Sequence, residues 1–295
     1  MMGSDVEKLS VAQNYCEGTL MIENESTNTA LKLDLLSIIS IAVIVYIIQN
    51  VLHEFIGHGG ATILVGGKLV SLTTAYLQSN LESASSLGRR IVAAAGPIVN
   101  TVAGILFWII LKKQYHKKNS LTFFLWLLMS VNLFTGLGYF LFSGVSGIGD
   151  WITVLHGVEN IWMWRIIMII AGIILYMLAI WISLRELNLF IGADEPHRGK
   201  RALKLSLIPY LFGSFFTTIG ALFNPESMLF VITSAASTFG GTSALAWMTQ
   251  LYSTSWFSKI DEQPIIITRN WYWIVAAAIL LFVHAFILGP GIMFL

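Results

Sequence analysis

Apolar runs of about 20 residues, the length that crosses a hydrocarbon core, recur about seven times along this chain. Their approximate limits are Leu35 to Val65, Ile91 to Leu111, Leu121 to Phe142, Ile161 to Leu184, Leu205 to Phe223, Ser227 to Leu251 and Trp271 to Phe294. With 56% hydrophobic and only 11% charged residues, the chain has too little polar surface for a soluble fold. Each backbone amide at membrane depth needs an internal partner, and the runs lack the short alternation of barrel strands. The expected fold is therefore an all-α polytopic membrane protein in a lipid bilayer, with about seven transmembrane helices. A polar N-terminal tail, 1–34, precedes a single integral membrane domain, 35–295. Which membrane holds it is not written in the sequence.

Charge placement orients the spans. Lys112, Lys113, Lys117 and Lys118 fall between the second and third runs, and Arg185, Arg198, Lys200, Arg201 and Lys204 between the fourth and fifth. Lys8 and Lys32 in the tail, and Lys259 and Arg269 before the last run, add to the same side. The other side receives Lys68, Arg89 and Arg90, while Arg165 lies inside a run. By the positive-inside rule the lysine-rich side is cytoplasmic. A net charge of +1 leaves no basic footprint for nucleic acid, so no nucleic-acid partner is expected. The single cysteine, Cys16, excludes an internal disulfide framework and a cysteine-rich metal site. The first thirty residues lack an apolar stretch long enough for a secretory leader, so none is expected.

Two connections differ from ordinary loops. Gly66 to Asn80 opens with a glycine pair and continues into β-branched, alternating residues, the pattern of a short β-hairpin at the membrane edge. Ser258 to Arg269 contains Pro-Ile-Ile-Ile-Thr and reads as a second short strand. The segment Ser143 to Asp150 is glycine-rich, which permits irregular backbone where a helix opens.

Within the first run, immediately after Leu35 to Leu52, comes His53-Glu54-Phe55-Ile56-Gly57-His58. Ionisable groups within spans are costly and mark a polar cavity, a pathway or a partner. Histidine is a nitrogen ligand for zinc, and a glutamate beside the first histidine is the usual base for metal-bound water. The spacing H-E-x-x-G-H is one residue longer than the common H-E-x-x-H zinc helix. Five residues apart, the histidines lie ~140° apart on a regular α-helix. Bringing both onto one ion requires a π-bulge or local unwinding, which Gly57, Gly59 and Gly60 make inexpensive. Downstream, Gly96, Asn100 and Gly104 recur every four residues and share a helix face suited to close packing. Asp150, read alone, is a helix N-cap. His156 and His284, each alone, are better read as histidines bonded within the bundle than as ligands.

Three blocks in order, HEFIGHGGATILVGGKLVSL, RRIVAAAGPIVNTVAGIL and VNLFTGLGYFLFSGVSGIGDW, resemble the site-2 protease family of intramembrane zinc metalloproteases, in its compact form without a PDZ domain. The resemblance covers roughly Val51 to Trp151, inside a catalytic core spanning 35–151. It implies that His53, His58 and Asp150 are ligands of Zn2+, that Glu54 is the catalytic base, and that Asn100 and Asn132 support substrate or site. The chain departs from the family pattern in the extra residue between the histidines, in lacking a proline after Asn132, and in a longer gap from Asn132 to Asp150. The implied activity is a zinc-dependent intramembrane endopeptidase whose partner is a transmembrane protein substrate. A non-catalytic membrane scaffold of the same fold, binding client helices without cutting, is the alternative, and a proton-coupled transporter is a third reading.

Overall fold

The computed structural model describes residues 33–193, 195–224, 228–252 and 263–294. Cys16, the N-terminal tail to Lys32, and Ser258 to Glu262 of the second expected strand lie outside the described residues. Among the described residues, six helices are long and apolar enough to cross a membrane: α1 (Leu35–Leu64), α2 (Ser86–Lys117, including a closing 3-10 turn), α3 (Ser120–Ser146), then, beyond the short α4 (Asp150–Val154), α5 (Ile161–Asn188), α6 (His197–Ala221) and the last span (Trp271–Leu288). The expected sixth run is not one helix. It divides into α7 (Met228–Ala235) and α8 (Ala244–Leu251), joined through a π-turn at Ala236–Gly240. The last span is accordingly α9. The broken pair still returns across the bundle: Phe223, just before it, packs on Phe286 near the end of α9, whereas Tyr252, just after it, lies under Arg198 at the start of α6. The chain is a multi-pass integral membrane protein.

The small sheet comprises β1 (Lys68–Leu72), β2 (Leu77–Asn80) and β3 (Ile292–Met293), in the order β2-β1-β3 with both pairings antiparallel. The hairpin falls where alternation placed it, with a register irregularity between Leu69 and Ser71. β3 was not expected: the last run stops as helix at Leu288, and the chain turns through Gly291 at φ +96° to pair with β1. Of the second expected strand, the described part makes a single parallel bridge, Ile267 to Leu33.

α3 is the centre of the bundle. Phe123, Trp126 and Phe134 are fully enclosed, and neighbouring helices approach through glycine. A Cβ on Gly172 of α5 would run into the backbone of Leu141, and one on Gly104 of α2 would lie 2.8 Å from the Leu133 side chain. By contrast α5 and α9 turn Ile166, Ile170, Ile173, Val275 and Ile279 outward, the apolar exterior that lipid requires. Arg165 does not dangle in hydrocarbon. Its guanidinium donates to the carbonyls of Gly144 (2.9 Å) and Val145 (2.8 Å), capping α3, and lies over the Trp162 ring.

The two ends of the bundle differ in charge. At one end, Asp34 caps α1 by accepting from the Ser37 amide (2.9 Å) and is bridged by Arg269 (2.9 Å), beside the loops holding Lys112 to Lys118 and Arg185 to Lys204. At the other end lie the sheet, Arg89, Arg90 and the close of α3. A cysteine placed at Lys117, with Cys16 replaced, is expected to resist an impermeant maleimide in intact cells and to react after permeabilisation; labelling of intact cells would reverse the orientation. Burial works to raise the Asp34 carboxyl, but the Arg269 guanidinium and Ser37 outweigh it and hold it below the ordinary carboxylate value. A lowered folded value means that this stabilisation is present above the unfolded carboxylate range and is lost as pH falls through the folded value. Asp34→Ala should cost about 1 kcal/mol as a lost N-cap. Thermal unfolding in detergent should show a gap between wild type and variant that narrows as the buffer is acidified below pH ~4.

Candidate metal centre

The histidine motif sits in a π-helical stretch of α1, Leu52–Gly59. A backbone bonded from i to i+5 sets residues five apart on one face, so the extra residue is absorbed locally. His53 and His58 consequently stand edge to face, ring centroids 4.9 Å apart. Close packing of α1 on α2 completes the arrangement: a Cβ on Gly57 would lie 2.7 Å from the Cα of Gly96. A Cβ on Gly96 itself would fall 2.6 Å from His58 Nε2 and 2.8 Å from His53 Nε2. Gly96 is thus the floor of the site, and it must lack a side chain.

Asp150 arrives from the far side. α3 ends at Gly147 (φ +73°), and Gly149 (φ +91°) turns the chain so that Asp150 opens α4. Its side chain makes no N-cap hydrogen bond, so the capping reading does not hold. Instead Oδ2 lies 3.2 Å from His53 Nε2 and 3.5 Å from His58 Nε2. Burial works to raise the Asp150 carboxyl, but the two imidazoles beside it, acting as protonated donors, outweigh burial and hold it well below the usual carboxylate range.

Hydrogen bonds behind the imidazoles fix what each ring nitrogen presents. His58 Nδ1 lies 2.7 Å from the Val92 carbonyl, which can only accept, so Nδ1 carries the proton. For His53 the assignment runs through two amides. Asn132 Nδ2 donates to the Leu128 carbonyl (2.8 Å), which leaves Asn132 Oδ1 to accept from Asn100 Nδ2 (2.8 Å). Asn100 Nδ2 also reaches the Gln49 carbonyl (3.3 Å), and its Oδ1 faces His53 Nδ1 at 2.6 Å. His53 Nδ1 is then the protonated nitrogen as well. With Nδ1 committed in both rings, each Nε2 faces the Asp150 oxygen, as a lone pair when the ring is neutral and as an N–H when it is protonated. Positive charge balances three such groups, as protons on the rings or as a metal ion between them.

The spacing suits a metal ion. Ligands at about 2.0–2.1 Å in a tetrahedron stand ~3.4 Å from one another, and the two Nε2–Oδ2 separations bracket that value. Glu54 belongs to the same cluster: one ligand atom each from His53, Glu54 and His58 lies within 4.8 Å of the others, a group able to hold a metal ion. One Glu54 oxygen accepts the Leu77 amide of β2 at 3.0 Å. The sheet thereby positions the carboxylate.

The structure brings together all six residues singled out from sequence, in two layers. His53, His58, Asp150 and Glu54 face the centre, whereas Asn100 and Asn132 are wholly buried behind His53 and reach no substrate space. His284 is bonded within the bundle to the Thr217 carbonyl (3.3 Å), and the backbone carbonyl of His156 accepts from Arg90 (3.0 Å). Sequence reasoning missed Tyr139, whose ring lies 5.4 Å from that of His53. A signal existed: Asn132 and Tyr139 are seven apart, two turns along one face of α3. It missed the Val92 carbonyl and the Leu77 amide too, and backbone groups leave no mark in residue identity.

Outer partners of metal-bound histidines typically contribute 10–100-fold in affinity. Asn100→Ala should weaken metal binding by about that factor in a chelator competition. Gly96→Ala should remove most bound metal while the helix persists, because a methyl there displaces both imidazoles. Stoichiometric metal in the Gly96→Ala protein would refute this geometry. Comparison of the chain with known families, with curated proteins and with solved structures finds no match to any of them.

Proposed function

We propose that this protein is a zinc-dependent endopeptidase of the site-2 protease kind, cutting within transmembrane segments of other membrane proteins. The observation that carries the reading is the convergence of two imidazole nitrogens and an aspartate oxygen, with a second carboxylate beside them. Two nitrogens and hard oxygens, with no sulfur, are a donor set zinc accepts, and three protein ligands leave a position for water or substrate. His53, His58 and Asp150 would hold the ion, which when bound supplies Lewis-acid polarisation of a water and of the scissile carbonyl.

The chain's own residues supply the remaining chemistry. Glu54, held through one oxygen by Leu77, takes a proton from the attacking water with the other and returns it to the departing amine nitrogen. Asn100 and Val92 keep the histidines in the tautomer that presents Nε2. The outer edge of β2 offers backbone groups to an extended segment by strand addition. β1, paired on both sides, does not. The extra residue between the histidines, a departure from the family pattern that a scaffold would tolerate, is accommodated by the π-turn, which supports the proteolytic reading.

Glu54→Gln keeps size and hydrogen bonding but removes the base. The variant should bind metal like wild type and cleave a transmembrane peptide about 100- to 10,000-fold more slowly. His58→Ala should lose metal and cleavage together. Undiminished cleavage by Glu54→Gln with metal bound would remove Glu54 from the mechanism, and metal-loaded wild type that cuts no client would favour the scaffold.

A further inference from the structure

A cavity of about 410 Å³ lies beside the metal centre, between α3, α5 and the break separating α7 from α8. Two of its walls are also walls of the centre. Tyr139 packs on His53, and both Tyr139 and Phe142 lie against Gly149, the residue before Asp150. Leu141, Val145 and Tyr176 continue the lining, and none of the lining residues is charged. On the opposite wall Ala236, Ser237, Gly240 and Gly241 contribute little bulk, and a Cβ on Gly240 would meet nothing within 4 Å.

The opening is built rather than left by loose packing. A continuous α-helix from Met228 to Leu251 would lay side chains across this space, but the π-turn and the break after it withdraw the backbone. Tyr176 holds the break open: its hydroxyl donates to the Gly241 carbonyl (2.8 Å) and accepts the Ala244 amide (3.2 Å). Backbone groups that a straight helix would satisfy internally are thus satisfied by one side chain from α5.

We propose that this cavity is a specificity pocket that receives a bulky apolar side chain, leucine or phenylalanine, from the residue next to the scissile bond. The inference rests on the proteolytic reading and adds the substrate preference. An extended chain at the centre projects alternate side chains to opposite sides. Tyr139 and Phe142 place the cavity mouth next to the ligands, within reach of a side chain beside the reacting carbonyl. The uncharged lining favours an apolar group, and the volume lies in the range of about 300–1,000 Å³ found for ligand pockets. A charged side chain there would be left unpaired, which excludes it.

The test uses the full-length protein in detergent with a series of single-span peptides identical except for Leu, Phe, Ala or Asp beside the cleaved bond. Wild type should prefer Leu or Phe over Ala by at least 10-fold in kcat/KM and leave the Asp peptide uncut. Gly240→Leu, which fills the cavity from its opposite wall, should bring the Leu-to-Ala ratio near one while metal content stays at the wild-type level. A second measurement does not depend on that variant folding. Glu54→Gln with a peptide carrying benzoylphenylalanine at the same position should give photo-adducts on Val145, Tyr176 or the Ala236 to Ser243 stretch. Equal cleavage of all four peptides, or adducts confined to the Ile56, Leu64 and Ile91 face of α1 and α2, would overturn the pocket and leave the protease standing. Wild type that holds metal and cuts no peptide would overturn the protease itself.

Discussion

Placing one carboxylate oxygen within 3.5 Å of two imidazole nitrogens, inside a bundle made for lipid, is the constraint on which this structure turns. Such an arrangement is balanced by positive charge, as protons on the rings or as a metal ion, and the fold must hold the three groups in place for it. It does so from behind. His58 is tied to the backbone of α2 through Val92, and His53 to α2, α3 and its own helix through the Asn100 and Asn132 amides. Both amides are fully buried, and each polar atom in that chain has a partner, which is what makes a polar network inside a membrane domain tolerable.

The same constraint explains where glycine is spent. A π-turn alone would place the histidines on one face, but the face must then lie against α2 closely enough for His53 to reach Asn100 and His58 to reach Val92. Gly57 against Gly96 sets that approach, and Gly96 also leaves room for the rings. Two further positions, Gly147 and Gly149, take positive φ so that α3 can end and Asp150 can turn back toward the histidines rather than continue along the helix. Arg165 closes the arrangement by capping the carbonyls that α3 exposes where it stops. The cost of an arginine inside a span is offset by those two hydrogen bonds and by the Trp162 ring.

Much of this was legible in residue identity. Run lengths reveal the spans, alternation reveals the hairpin, and a histidine pair five apart demands the distortion found at Leu52–Gly59. What escaped did so for physical reasons. The division of Ser227 to Leu251 is hidden because an uncharged, largely apolar run of that length reads as one span, although Gly240-Gly241 and the surrounding Ser and Thr mark the place where the helix opens. β3 is hidden in the tail of an apolar run, although Gly289-Pro290-Gly291 ends the helix. The Val92 carbonyl and the Leu77 amide are invisible because any residue would supply them. Tertiary geometry alone selects which one does.

That Leu77 supplies one of them has a consequence for how substrate and base would be aligned. β2 is strapped to α1 twice, by the Leu77 amide to Glu54 and by Thr62 to Ser79 at 2.8 Å, which ties the sheet to the carboxylate. A strand added to the outer edge of β2 would lie about 4.8 Å away, with its register set by the β2 backbone and therefore by the position of Glu54. A helical segment entering from lipid loses its internal hydrogen bonds when it unwinds, and unpaired amides are expensive at that depth. Pairing with β2 replaces those bonds at the point where the peptide must be extended to be attacked. On the proteolytic reading, the sheet thus lowers the cost of unwinding and sets the register of the exposed bond through the same hydrogen bonds.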